Sequence, residues 1–163
     1  MQDSVSSAPV SKNIKQFLFP LFLALFLDQF SKLLIVRTLT IFDPPREIIG
    51  SYLRFNLAYN PYGVFSLSFG PPFVYYFLHL FGILIFTYIG LTQKSKFRTV
   101  LFGLIVGGAL GNVIDRIRLK YVIDFIDMGI GNLRWFTYNL ADAFVVVSAG
   151  LLIINELFWK RKD

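Results

Sequence analysis

Four long blocks of apolar residues, at 17–36, 73–92, 97–114 and 143–159, leave this 163-residue chain few ways to fold. Each approaches the ~20 residues that carry an α-helix across ~30 Å of hydrocarbon. A chain in lipid must satisfy its own backbone polar groups, so such blocks predict helices rather than open strands. The composition is 55% hydrophobic and 16% charged, but the arrangement decides the matter. The apolar residues run in blocks instead of along one face of amphipathic helices, which rules out an ordinary soluble domain. The expectation is a mainly α membrane protein, a single integral membrane domain over 1–163. Its outside loops are 37–72 and 115–142.

Orientation follows from the basic residues. Eight lie in the segments 1–16, 93–98 and 160–163, each close to a span end, whereas seven are spread through the much longer loops 37–72 and 115–142. That density places both termini in the cytoplasm. It also assigns the net charge of +6 to lipid headgroups, so membrane lipid is an expected partner and nucleic acid is not. The first dozen residues are Ser-rich and expected to be disordered. An apolar run from Phe17 to Leu27 has no small-x-small site after it, and the chain returns to Leu33-Leu-Ile-Val36. This reads as an uncleaved first span.

Polar residues inside the blocks are few. Asp28 and Lys32 share a helical face at i, i+4, an arrangement that reads as a neutralised pair with the lysine snorkelling outward, or as part of a site. His79, the single histidine, reads as structural. Gly103, Gly107 and Gly111 recur every four residues and predict close approach by a neighbouring helix. Just beyond stand Asn112, Asp115 and Arg116, with Asn112 and Arg116 on one face. In the loops, 52–59 reads as a strand or strand pair between turn signals at Asp43-Pro-Pro45 and Asn60-Pro61. Residues 122–125 and 133–137 read as short strands around a Gly129-Ile-Gly131 turn, and Gly70-Pro-Pro72 closes the first loop.

Asp124 and Asp142 lie near the two ends of the second loop. Carboxylates at bilayer level are costly and mark functional sites. Two brought together cannot both ionise easily, so one keeps a proton near neutral pH. Other chemistries fall away by inventory. The chain has no cysteine, which excludes thiol catalysis, disulfides and thiolate metal sites. One histidine supplies neither His-Glu-x-x-His nor a Ser-His-Asp triad. Ser31–Lys32 and Ser95–Lys96 are sequence neighbours, whose side chains diverge. Aspartates remain: Asp28, Asp115, Asp124, Asp127 and Asp142 all fall on the outer side. A proton-coupled transporter or channel subunit is the rival reading, but these residues cluster at one level instead of tracing a path across. A third, a non-catalytic assembly protein using the glycine face, leaves the aspartates without a purpose.

The block Gly107-Gly-Ala-Leu-Gly-Asn-Val-Ile-Asp-Arg116, then Val122-Ile-Asp-Phe125, then Phe136-Thr-Tyr-Asn-Leu-Ala-Asp142, resembles lipoprotein signal peptidase (signal peptidase II). Leu27-Asp-Gln-Phe-Ser-Lys32 resembles that family's first motif, and Asn60-Pro-Tyr-Gly-Val-Phe65 its second, with the glycine one place late at Gly63. The resemblance spans roughly 17–158. It implies four transmembrane helices with a small extracytoplasmic β-cradle and an interfacial helix. It implies an aspartic endopeptidase of the bacterial inner membrane, with Asp124 and Asp142 catalytic. Asn112, Arg116 and Asn139 would orient the pair and bind substrate backbone. Asp28, Lys32 and Asn60 would support them, and Asp115 would be structural. The implied substrate is a diacylglyceryl-modified prolipoprotein cut before its lipidated cysteine. The chemistry of a carboxylate pair needs no metal or cofactor, and a monomer is the expected state.

Overall fold

All four apolar blocks fold as helices in the computed structural model, which describes residues 10–61 and 72–159. They are α1 (Val10–Thr38), α2 (Pro72–Thr92), α3 (Lys96–Leu119) and α4 (Leu140–Trp159). Between them lie β1 (Arg46–Ile49), β2 (Leu53–Asn60), β3 (Val122–Ile130) and β4 (Leu133–Arg134). Helices α1, α3 and α4 are long and apolar enough to cross a membrane, while α2 contributes a shorter apolar stretch, Tyr76–Thr92. Large apolar side chains such as Phe19, Phe22, Phe77, Leu84 and Val146 point outward, the inside-out arrangement that lipid solvation permits.

Glycine decides how the helices meet. A Cβ on Gly103 would strike the Phe17 carbonyl, one on Gly107 the Leu21 carbonyl, and one on Gly111 the Asp28 carboxylate. The glycine repeat is therefore occupied within the chain, by α1. Gly108, on the neighbouring face, presses in the same way against the Ala141 carbonyl of α4. So α3 lies between α1 and α4, with Phe17, Leu21, Phe102, Ile105 and Val106 as the core between the first two. Replacing Gly107 by Leu forces backbone apart in a packed interface, where overpacking costs ~1–3 kcal/mol or more. Thermal unfolding in detergent should show Gly107→Leu melting well below the parent.

The strands form one antiparallel sheet in the order β1-β2-β3-β4. Ile35 at the end of α1 packs against Leu57, Ile123, Phe125 and Ile126, which fixes the sheet to the helices. Ala58 stands opposite Asp124 and Asn60 opposite Val122, so the first loop delivers Asn60 beside the second.

Several expectations are corrected. Helix α1 starts at Val10, so residues 10–16 are helical ahead of the expected span. Helix α3 runs on to Leu119 and closes with Lys120 in the left-handed region at φ 72. Asp115 and Arg116 are thus helical residues, not loop residues. Helix α4 begins at Leu140, which puts Asp142 inside its first turn. Gly129 belongs to β3, and the turn is confined to Gly131 (φ +57) and Asn132. The first loop holds two strands, β1 and β2. Residues 1–9, 62–71 and 160–163 lie outside the described set, and with them Gly63, Gly70-Pro71 and the basic residues 160–162. Among the described residues there is no further helix to match the implied interfacial one.

Candidate active site

The start of α4 is built by a reciprocal cap. The Asp142 backbone N–H donates to Asn139 Oδ1 at 3.0 Å, and the Asn139 N–H faces Asp142 Oδ2 at 3.4 Å. This is a capping box, in which the residue before the helix and the third residue within it satisfy each other's free amides. It fixes the Asp142 carboxylate at the mouth of the helix. Its other oxygen, Oδ1, accepts from Asn112 Nδ2 at 2.8 Å.

Asp124 arrives from β3. Its Oδ1 accepts from Asn139 Nδ2 at 2.7 Å and its Oδ2 from Asn60 Nδ2 at 3.1 Å. Asn139 Nδ2 also lies 3.1 Å from Asn112 Oδ1 and 3.3 Å from the Ile123 carbonyl. Asn139 therefore bonds both aspartates, and Asn112 bonds both Asn139 and Asp142. The two carboxylates, carried on different elements, are brought together around one pair of asparagines. Burial pushes the Asp124 carboxyl up, the negative field of Asp142 pushes it further, and the bonds from Asn60 and Asn139 pull it partly back. It settles at about 7, so a proton resides there up to neutrality.

Below the pair lies an ion cluster. Lys32 is only 2% exposed, so of its two readings the inward one, toward the site, is the one adopted. Its Nζ sits 2.8 Å from both Asp28 Oδ2 and Asp115 Oδ2, and 3.0 Å from Asn112 Oδ1. An inward course is favoured because three acceptors there replace the water the ammonium gives up. Asp28 Oδ1 accepts the Ala141 N–H at 3.0 Å, satisfying another amide of the first turn of α4. Asp115 Oδ2 accepts the Ile123 N–H at 3.3 Å, one residue before Asp124. Arg116 is buried, its Nη1 lies 3.4 Å from the Asn112 carbonyl, and its charge interacts with Asp142, Asp124 and Asp115. Two cations thus serve four carboxylates, Asp28, Asp115, Asp124 and Asp142, which favours retention of a proton among them.

All nine sequence-selected residues fall in this one assembly: Asp28, Lys32, Asn60, Asn112, Asp115, Arg116, Asp124, Asn139 and Asp142. Asp127 does not. Its carboxylate is held by Arg54 at 2.6 Å and Arg134 at 2.8 Å, away from the pair. Two contributors carried no assigned role. Gln29 Nε2 donates toward Asp115 Oδ1 at 3.0 Å, Asp28 Oδ2 at 3.1 Å and the Gly111 carbonyl at 3.2 Å. An amide next to a charged pair in an apolar span was the available signal. The Tyr76 hydroxyl donates to the Arg116 carbonyl at 2.9 Å, and nothing in the sequence set that tyrosine apart from its aromatic neighbours.

A family model described as signal peptidase II matches residues 21–158, which contain every one of these side chains. The chain belongs to the signal peptidase II family. It is 37% identical over 145 residues to a lipoprotein signal peptidase of Cupriavidus taiwanensis, covering 86% of this chain and 81% of that one. A lipoprotein signal peptidase of Coxiella burnetii is 36% identical (83% and 85% covered), and one of Thermodesulfovibrio yellowstonii 33% identical (84% and 91%). Two solved structures, each described as a bacterial membrane enzyme, superpose with a TM-score of 0.77 at 25% identity. They cover 91% and 92% of this chain, and 89% and 95% of their own. Signal peptidase II membership makes the chain a protease and gives the transporter reading no support. The helices and small antiparallel sheet are accordingly those of a membrane enzyme.

Proposed function

We propose that this signal peptidase II chain is an aspartic endopeptidase that removes signal peptides from diacylglyceryl-modified prolipoproteins, with Asp124 and Asp142 as its catalytic pair. The observation that carries this is the shared asparagine bridge. Asn139 and Asn112 hold the buried Asp124 and the half-buried Asp142 together, and Asp124 is pushed up to about 7. Such a pair keeps one proton between two oxygens and titrates as a unit. The ionised member takes a proton from a bound water as that water's oxygen attacks the scissile carbonyl carbon. The protonated member donates to the carbonyl oxygen. The C–N bond then breaks as the first aspartate passes its proton to the leaving amine, and a hydroxyl of the tetrahedral intermediate returns a proton to the second, leaving the pair with one proton.

Asn112, Asn139 and Arg116 orient the pair and offer donors to substrate backbone. Asp28, Lys32 and Asn60 support them, and Asp115 ties the end of α3 to the start of β3. On this reading the chain crosses the membrane four times with cytoplasmic termini, so the assembly faces the outer side of the plasma membrane; the dense basic residues near the opposite span ends support that orientation. A monomer carries the complete residue set, and a lipid-bearing substrate enters from the side. Cleavage falls before the lipidated cysteine.

The test is purified enzyme incubated with one precursor in two forms, diacylglyceryl-modified and unmodified. Cleavage of the modified form alone is expected; equal cleavage of both would remove the lipid from recognition. A pH series adds a second expectation. Asp124 is raised from 3.8 to about 7, so the fold favours its protonated form, and that stabilisation is lost as pH rises through about 7. Activity should fall above neutrality by about tenfold per unit once the shared proton is gone. Asn60→Ala removes a donor to the ionised carboxylate, so its alkaline limb should move to higher pH.

A further inference from the structure

At the opposite end of the bundle from the aspartates lies a cavity of about 670 Å³, between the α2–α3 connection, the first turn of α3 and the last turns of α4. The proteolytic reading makes no use of it. Its volume falls in the ordinary range for small-ligand sites, ~300–1,000 Å³. Phe97 supplies an apolar wall, and Lys94, Ser95, Arg98 and Asn155 supply polar ones. The connection is held in place from α1, because Asn13 Nδ2 donates to the carbonyls of Leu91 and Gln93 at 3.2 and 3.0 Å.

The cavity has a built cationic side. Arg98 Nε donates to Asn155 Oδ1 at 2.8 Å and its Nη2 lies 3.0 Å from Glu156 Oε2. Those contacts fix the guanidinium plane, and among the described residues its other terminal nitrogen makes no bond. Lys94 is exposed and makes no ion pair among the described residues. Lys96 stands at the start of α3. Among the described residues, Lys94 and Arg98 are the cations that line the cavity, and Glu156 is the carboxylate paired with Arg98. A planar guanidinium and an ammonium lining one cavity suit an oxygen-rich anion. The depth matters as well: the cavity opens where membrane-spanning helices end, and basic pockets between such helices bind anionic headgroups.

We propose that this cavity binds a phosphate group, with Lys94 and Arg98 as its ligands, carried by an anionic phospholipid of the inner leaflet or presented as free phosphate. The site is independent of the catalytic pair, and its placement at the inner leaflet rests on the orientation proposed above.

Thermal unfolding of the purified full-length chain in neutral detergent tests it. The probes are short-chain phosphatidylglycerol, phosphatidylcholine with the same acyl chains, and inorganic phosphate at matched ionic strength. At a hundredfold excess over Kd, phosphatidylglycerol should raise Tm by about 5 °C or more, and phosphatidylcholine should not. Lys94→Gln should weaken the shift and Lys94→Gln/Arg98→Gln abolish it, while Lys120→Gln, at the far end of α3, should leave it intact. Arg98→Gln also severs contacts to α4, so the single Lys94→Gln carries the test if the double variant fails to fold. A shift reproduced by inorganic phosphate supports the site with a soluble ligand; a shift given only by phosphatidylglycerol supports it with a lipid. No shift in the parent, an equal shift with phosphatidylcholine, or an undiminished shift in Lys94→Gln would overturn it.

Discussion

Lys32→Met should melt about 10 °C below the parent and accumulate poorly in the membrane. Lys32 Nζ is the ammonium between Asp28 and Asp115, 2.8 Å from each, in surroundings that leave it 2% exposed. Removing one partner from a buried ion cluster leaves uncompensated charge and costs ~3–5 kcal/mol. That is a large share of the ~5–15 kcal/mol that holds a domain folded, and at ~2–4 °C per kcal/mol it gives the stated shift. Methionine matches the stem in length, so the loss reports charge rather than a cavity. The compensating variant sharpens the point. Asp28→Asn and Asp115→Asn added to Lys32→Met neutralise the cluster and should recover much of the lost stability. Lys32→Met melting within a degree or two of the parent would show that the cluster does not hold the helices.

The spans were legible because bilayer thickness fixes the length of an apolar block, and that constraint acts residue by residue along the chain. The helix ends were not. Asp115 and Arg116 look like loop residues by hydropathy, yet α3 carries them because their charges are met by Lys32, the Ile123 amide and the neighbouring carboxylates. Lys32 allows two readings by sequence, outward snorkelling or membership of the site, and its burial favours the second. The local pair with Asp28 suggests a side chain turned toward water, and only the later arrival of Asp115 and Asn112 makes the inward course the better one. The glycine repeat announced a close helix contact but could not name its partner, which is α1.

Within the site, the three-residue spacing of Asn139 and Asp142 was the most informative local pattern, since a capping box fixes both side chains at once. Asp127 was grouped with Asp124 although an odd separation on one strand sends side chains to opposite faces. Asn60 shows the other limit. Its motif was visible, but its place beside Asp124 depends on the pairing of β2 with β3, a long-range register that no short stretch of sequence encodes.

Asp124→Asn and Asp142→Asn, made singly, should each reduce cleavage by about a thousandfold or more, as loss of one member of a unit acting by general acid–base chemistry does. Each substitution is near-isosteric, so the carbonyl oxygen of the new amide can still accept from Asn139 or Asn112. Each also removes a carboxyl group from an assembly in which two cations serve four carboxylates, so both variants should insert and fold with Tm equal to or above that of the parent. Stability and activity are thereby expected to move in opposite directions, which separates a chemical role from a structural one. Because the two residues act together, the double variant should be no slower than the worse single one.

The most direct measurement is a gel assay following conversion of a diacylglyceryl-modified precursor to its shortened product by the parent, the two single variants and the double variant, each shown beforehand to be folded. Conversion by the parent alone is expected, with all three variants at one common residual level. Cleavage at the parent's rate by either single variant would contradict it.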